Sequence, residues 1–335
     1  MFKSASSSTA SGMTRRAVLA AAGGMAASLA APAFAANTYP SRPIRFVVPF
    51  SAGGATDILA RLIAEHLRSA WNVPVVVENI VGASGNIGSF AVARAEPDGY
   101  TLLMGAIGTN AVNASLFDKM PYDTATAFAP ISQVAQLPMA LVVHPSVPAK
   151  SVAELIALAK QKPKSLNHGS AGKGASQHLA SVLFESMTGT QFEQVFYRGA
   201  AAMVPDLLSG RVQLSFGDLG SLRPHIQSGA VRPLAVTTSK QSPLLPKLPT
   251  ISEAVPGYDV AAWYGMFAPA RTPPAVVAKI NAEVIASLKT PTILERLESI
   301  GAEPVGSSPE AFAAFVRNEM QRWAKVVEAA GIKAS

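Results

Sequence analysis

Ile44-Arg45-Phe46-Val47-Val48-Pro49-Phe50-Ser51-Ala52-Gly53-Gly54-Ala55-Thr56-Asp57-Ile58-Leu59-Ala60-Arg61 is the stretch whose reading decides the fold. Ile44 to Val48 is a short apolar run bounded by proline, as expected of a strand. Phe50 to Ala55 is a loop of small residues. Ile58, Leu59, Leu62, Ile63 and Leu67 then recur on one helical face. Thr56 is placed to cap that helix, and Asp57 to favour its positive end. A strand, a small-residue loop and a helix follow one another without a break.

The unit repeats. Val75-Val76-Val77 leads through Gly82-Ala83-Ser84-Gly85 to a helix near 86–95, and Tyr100 to Met104 leads to Gly105-Ala106-Ile107-Gly108-Thr109. A second series begins near Pro138. It has strands at Ala140–Val143, Arg211–Phe216 and Pro233–Thr237, and a helix opened by the capping box Ser151-Val152-Ala153-Glu154. It also has the turn Gly169-Ser170-Ala171-Gly172-Lys173-Gly174-Ala175-Ser176 before a helix ending at Gly189. Residues 239–256, rich in Pro and Ser, read as a connector. Helices are expected from Pro273-Pro274 to about Lys289 and from Pro309 to Ala330. The second carries an apolar stripe of Phe312, Phe315, Val316, Met320, Trp323, Val326 and Val327, whose plain role is core packing. The expected class is α/β, with parallel strands covered by helices in two domains.

Bulk composition narrows the function classes. The chain has 335 residues, of which 49% are hydrophobic and 15% charged, enough apolar material for a sizeable core. Of the formal charge of +7, Lys3, Arg15 and Arg16 supply three within the first 35 residues, leaving +4 on the remaining 300. The other cations are scattered, which argues against nucleic acid as a partner. The absence of cysteine rules out disulfides, thiolate nucleophiles and Cys-based zinc sites. Residues 1–35 read as a signal peptide. Thr14-Arg15-Arg16 precedes an uncharged Ala-rich run, and Ala33-Phe34-Ala35 gives a cleavage pattern before Ala36. The arginine pair suggests the twin-arginine route, and the run is too short and too small-sided for a membrane span.

The small-residue loops carry the functional signal as a set. Loops of this kind let a ligand approach the main chain, and helix N-termini offer free N–H groups and partial positive charge. Ligands of open α/β sheets bind beyond the carboxyl ends of strands. A carboxylate or phosphate held by amides and hydroxyls follows, although any one loop alone is explained by tight turning. Gly82, Gly85 and Gly88 do not match the dinucleotide fingerprint, and Gly172-Lys173-Gly174 does not match a phosphate-binding P-loop. The five histidines, His66, His144, His168, His178 and His225, have no metal-binding spacing. No Gly-x-Ser-x-Gly elbow surrounds Ser51, Ser84, Ser170 or Ser176. No cofactor or metal and no catalytic residue is expected. Asp57 either opens a helix or fixes the first loop. Arg198 either pairs with a carboxylate or is merely exposed. Asp218 either receives a ligand amine or caps a helix, and His178 flanks the Gly-rich turn.

The mature chain resembles the periplasmic substrate-binding proteins of tripartite tricarboxylate transporters, the Bug-type receptors. The resemblance rests on Tyr39 to Arg45, Pro49 to Arg61, Val77-Glu78-Asn79 with the loop to Gly88, Ala95 to Leu102, Tyr197-Arg198-Gly199 and Trp263 to Pro269. It implies a two-domain periplasmic-binding-protein fold of the Venus flytrap, type II-like kind, with 36–137 plus 261–335 as one domain and 138–260 as the other. It implies a monomeric periplasmic receptor that captures a small organic acid in the interdomain cleft and delivers it to membrane transporter subunits. A sensor for a membrane signalling protein shares that architecture, and a secreted hydrolase has no motif in its favour. On matching positions the resemblance places ligand contacts at Phe50, Ser51, Ala52, Gly53, Gly54, Ala55, Thr56 and Asp57, at Gly82, Ala83, Ser84 and Gly85, and at Thr109, Ser170, Ser176 and Asp218. Ser84 stands where relatives often have glycine.

Overall fold

A computed structural model describes residues 39–197 and 199–333. The residues read as a signal peptide, and Arg198, lie outside the described residues. From Arg42 onward the chain forms one compact unit.

The expected opening is present. Strand β1 (Ile44–Val48) enters helix α1 (Ala55–Trp71), and β2 (Val75–Asn79) pairs with β1 in parallel. Helix α2 (Asn86–Ala93) then leads to β3 (Thr101–Ala106), parallel to β1 on its other edge. Thr56 is not the cap of α1. That position belongs to Gly54, with no side-chain hydrogen bond, and Thr56 lies buried in the first turn. The alternation that suggested a β-loop-α unit after β3 resolves differently, because Gly108–Val112 forms a π-turn that continues into the short helical turn Asn113–Leu116.

Strand β4 (Phe128–Val143) was expected only over its last four residues. Pro130, Gln133, Gln136 and Pro138 break the apolar pattern. It is nevertheless 16 residues long because it serves two sheet halves in turn. Phe128 to Pro138 pairs antiparallel with β9 (Ala261–Pro269). Met139 to Val143 pairs with β7 (Leu214–Asp218), and Ala140 to Val143 with β8 (Arg232–Val236) on the opposite edge. The sheet is therefore mixed rather than wholly parallel. Its order is β2-β1-β3-β9-β4-β7-β5-β6, with β5 (Asn167–Ser170) parallel to β6 (Glu193–Phe196) and β7. A two-residue strand, β10 (Glu303–Pro304), pairs with β4.

Helices α3 (Val152–Gln161), α4 (Ser176–Thr188), α5 (Ala200–Leu208) and α6 (Leu219–Gln227) accompany β4 to β8. Helices α7 (Pro274–Ser287), α8 (Pro291–Ser299) and α9 (Pro309–Ala330) follow β9. Ser151 accepts from the Glu154 amide at 3.2 Å, but the Glu154 carboxylate returns to the Lys150 amide at 2.7 Å, so the expected box closes one residue early. Helix α9 matches its expected bounds, and its stripe packs as core: Phe312, Val316, Trp323 and Val327 are buried, with Phe315, Met320 and Val326 against them.

Gly105 and Gly265 face each other across β3 and β9. A Cβ on Gly265 would stand 2.1 Å from the Phe312 ring, and one on Gly105 would stand 2.2 Å from Asn110 Oδ1. The bare backbone at Gly265 lets Phe312 lie on the sheet, 4.9 Å from the Phe267 ring centroid. Gly265→Ala is expected to cost about 1–3 kcal/mol through overpacking. Urea unfolding measures it, and an unchanged midpoint would show that Phe312 moves without penalty.

Candidate functional site

The tips of β1, β2, β3 and β5 carry loops that converge on one cavity of about 380 Å³. From the first loop come Phe50, Gly54 and Thr56, from the second Ser84, from the end of β3 Ala106, Ile107 and Gly108 with Asn113 beyond, from the Gly-rich turn Ala171 to Ser176, and from β9 Tyr264. The first turns of α1 and α4, at Thr56 and Ser176, therefore open onto the same space. Helix N-termini leave amide hydrogens without intrahelical acceptors, so their convergence favours an anionic guest.

The other expected positions build these walls without lining them. Ser51, Ala52 and Gly53 are exposed, and Ala55 is half-buried. Asp57 is buried and turned into the protein, where it accepts from the Gly53 amide at 2.9 Å, Arg61 Nε at 2.9 Å and Asn79 Nδ2 at 3.0 Å. Burial alone would raise its pKa, but the bonds from Arg61, Gly53 and Asn79 outweigh that and hold it below the ordinary carboxylate range. Asp57 thus fixes the first loop, as one of its two sequence readings has it. Gly82, Ala83 and Gly85 form the turn that presents Ser84. Gly85 has φ +89°, and a Cβ there would meet Thr109 at 2.5 Å and the Phe50 ring at 3.1 Å. Thr109 is buried, accepting from the Ala106 amide at 3.2 Å and lying 2.7 Å from Asn110 Oδ1. Ser170 is buried and donates to the Gly172 carbonyl at 3.1 Å.

Asp218 ends β7 and makes no side-chain cap to α6. It accepts instead from Gln177 Nε2 at 3.1 Å, while Gln177 Oε1 accepts from the Ala171 amide at 2.6 Å. One buried glutamine thus ties the Gly-rich turn to the end of β7. Burial lifts the Asp218 carboxyl to about 6, with the Gln177 bond opposing. Burial, with help from the Asp218 charge, also raises Tyr264, so its phenol stays protonated and able to donate. His178 stands behind the turn. Its Nδ1 accepts from the Gly174 amide at 3.1 Å, and its ring meets Phe196 edge-on at 5.0 Å. It lines a separate cavity of about 430 Å³ with Glu185, Gln194 and the end of α9. Burial first, and the Lys173 charge second, pull its pKa to about 4.

The model of the tripartite tricarboxylate transporter family receptor, TctC, matches residues 59–332. The chain belongs to the TctC receptor family. A solved structure of R. palustris Rpa4515 with adipate is 43% identical, with a TM-score of 0.79 over 88% of this chain and 99% of that one. The periplasmic binding protein BugD is 37% identical, with a TM-score of 0.76 over 89% and 100% of the two chains. A UPF0065 protein from the tcbD-tcbE intergenic region of Pseudomonas sp. (strain P51) is 38% identical over 87% of each chain. This TctC receptor accordingly has the two-domain α/β fold of periplasmic solute-binding proteins, as its sequence led us to expect.

Several lining residues of the TctC receptor escaped the sequence reading. Tyr264 was visible within Trp263 to Pro269 but not as a site residue. Strand alternation is the signal that could have found it, since buried Trp263 turns to α9 and its neighbour must face the other way. Lys173 enters the sequence reading only through the failed P-loop match of Gly172-Lys173-Gly174, not as a site residue. Asn113 has no sequence signal. It donates to the Ser84 carbonyl at 3.1 Å and to Asn86 Oδ1 at 2.7 Å, bracing the second loop. Among the described residues no group of three or more His, Asp or Glu side chains is placed to hold a metal, and no helix is long and apolar enough to cross a membrane.

Proposed function

We propose that this TctC receptor is exported to the periplasm, captures a small carboxylate between its two domains, and delivers it to the membrane subunits of a tripartite tricarboxylate-type transporter without chemically altering it. The observation that carries this is the convergence of the α1 and α4 first turns, Ser84 and Tyr264 on one cavity. A carboxylate there meets amides and hydroxyls whose orientation the loops have already fixed, so little ordering cost remains at binding. The relative solved with adipate supports the ligand class. The course of β4 supports a division of the chain. Its partner changes from β9 to β7 and β8 at Pro138/Met139, which supports domains of 36–137 with 261–335, and 138–260. Closure of two such lobes would exclude water and strengthen the amide–carboxylate bonds.

A thermal-shift screen on protein freed of endogenous ligand tests the proposal. Dicarboxylates, tricarboxylates, amino acids and aromatic acids make up the panel. The right acid, at about 100 times its Kd, adds about 2.7 kcal/mol and should raise Tm by on the order of 5 °C or more. A flat response to every acid would sink it.

A further inference from the structure

We propose that Lys173 selects ligands with two anionic ends, taking the second while main-chain amides and hydroxyls hold the first. The inference rests on the carboxylate-receptor reading above and adds to it a residue and a ligand class. Among the described residues lining the 380 Å³ cavity, Lys173 is the one charged residue. Its side chain is exposed, and no hydrogen bond or ion pair engages its ammonium among the described residues. The acid of the first loop, Asp57, cannot reach it as a counter-ion, because Gly53, Arg61 and Asn79 hold its carboxylate inside the protein.

The backbone around Lys173 is fixed, so its placement is a property of the fold. Gly172 (φ +155°) and Gly174 (φ +79°) flank it. At Gly174 the left-handed conformation favours glycine. Buried Gln177 binds the Ala171 amide and buried His178 binds the Gly174 amide, which clamps the turn on both sides of the lysine. The Ala171 carbonyl accepts from the Gly199 amide at 3.0 Å. A single-ended acid gains little from a free ammonium across the cavity. A doubly anionic one gains a charge-assisted contact that requires no change in the protein. Selectivity is the difference between those two affinities.

Calorimetric titration with matched pairs tests this: butanedioate against butanoate, hexanedioate against hexanoate, and benzene-1,4-dicarboxylate against benzoate. For at least one pair wild type should prefer the diacid by on the order of tenfold. Lys173→Met should abolish that preference with the unliganded Tm in place, and Lys173→Arg should keep it. Diacid affinity should fall with added salt more steeply in wild type than in Lys173→Met. A preference that survives in Lys173→Met overturns the assignment. So does a wild type that binds diacid and monoacid of every pair alike, which leaves the carboxylate reading standing. A wild type that binds none of these acids overturns the Lys173 assignment, and one that is also flat across the wider acid panel overturns the carboxylate reading with it.

Discussion

Glu319→Ala is expected to cost about 3–5 kcal/mol of stability. Glu319 is buried on α9, and its Oε2 accepts from two buried indoles, Trp263 Nε1 and Trp323 Nε1, each at 3.0 Å. Its Oε1 accepts from Arg322 at 3.3 Å, and Arg322 also reaches the Asp259 carbonyl. Alanine removes the acceptor that both buried indole N–H groups share, beside a cavity of about 80 Å³. Each orphaned donor costs about 1–3 kcal/mol. Glu319→Gln keeps one carbonyl oxygen in place and should lose only about 1–2 kcal/mol, since the charge assistance goes but an acceptor stays. Urea unfolding followed by intrinsic fluorescence is direct, because these are two of the three tryptophans in the chain. A loss below about 1 kcal/mol in the alanine variant would show that the indoles find other partners. The position matters for function. Trp263 pairs with Gln136 just before β4 changes partners, and Tyr264 beside it lines the cavity. Loosening the staple should therefore weaken carboxylate binding as well as stability.

Local chemistry decided which parts of this molecule could be read in advance. The strand–loop–helix units at Ile44 to Leu67 and the stripe of Phe312 to Val327 declare themselves, because periodicity reports which face is buried. Strand β4 hides its length, because its polar residues are satisfied by tertiary partners far along the chain. Gln136 Nε2 donates to Glu303 at 3.0 Å, and the Gln133 amide donates to Ser307 Oγ at 2.9 Å. Of the small-residue loops, Phe50, Gly54, Thr56, Ser84 and Ser176 come together around one space. The pattern did not distinguish residues that face the cavity from those that brace its walls. Asp57, Thr109, Ser170 and His178 spend their polar atoms on loop amides or neighbouring side chains, a division of labour that depends on side-chain direction. Asn113 arrives from the helical turn that continues the π-turn, and Tyr264 from a strand more than 150 residues after β3, which no local window contains.

Between pH 7 and pH 4 the stability gap between His168→Gln and wild type should shift by on the order of 3 kcal/mol in favour of the variant. Gln194 Nε2 donates to Ser181 Oγ at 3.1 Å and to Glu185 Oε2 at 3.0 Å, which leaves Gln194 Oε1 as the acceptor 2.7 Å from His168 Nδ1. That bond assigns the proton to Nδ1 and leaves Nε2 bare. Nε2 is buried without a hydrogen-bond partner among the described residues, and the ring meets Phe216 edge-on at 5.5 Å. A second proton would have to sit there. Burial therefore pulls the pKa to about 4, with the Gln194 bond opposing and His178 adding to the fall. In the unfolded chain the same imidazole titrates near its ordinary value of about 6.5. As pH falls from about 6.5 to about 4 the unfolded state takes up the proton first, so His168 destabilises the fold across that window and contributes no further change below it. Asp218 acts in the opposite direction over nearly the same range, since its raised carboxyl, at about 6, binds a proton in the folded state first. Glu185, also raised by burial, opposes too, while His178 acts with His168. The wild-type pH profile alone mixes these contributions. The difference between the wild-type and His168→Gln profiles isolates one group, and parallel profiles would mean that His168 is already charged in the native protein or never charges on unfolding.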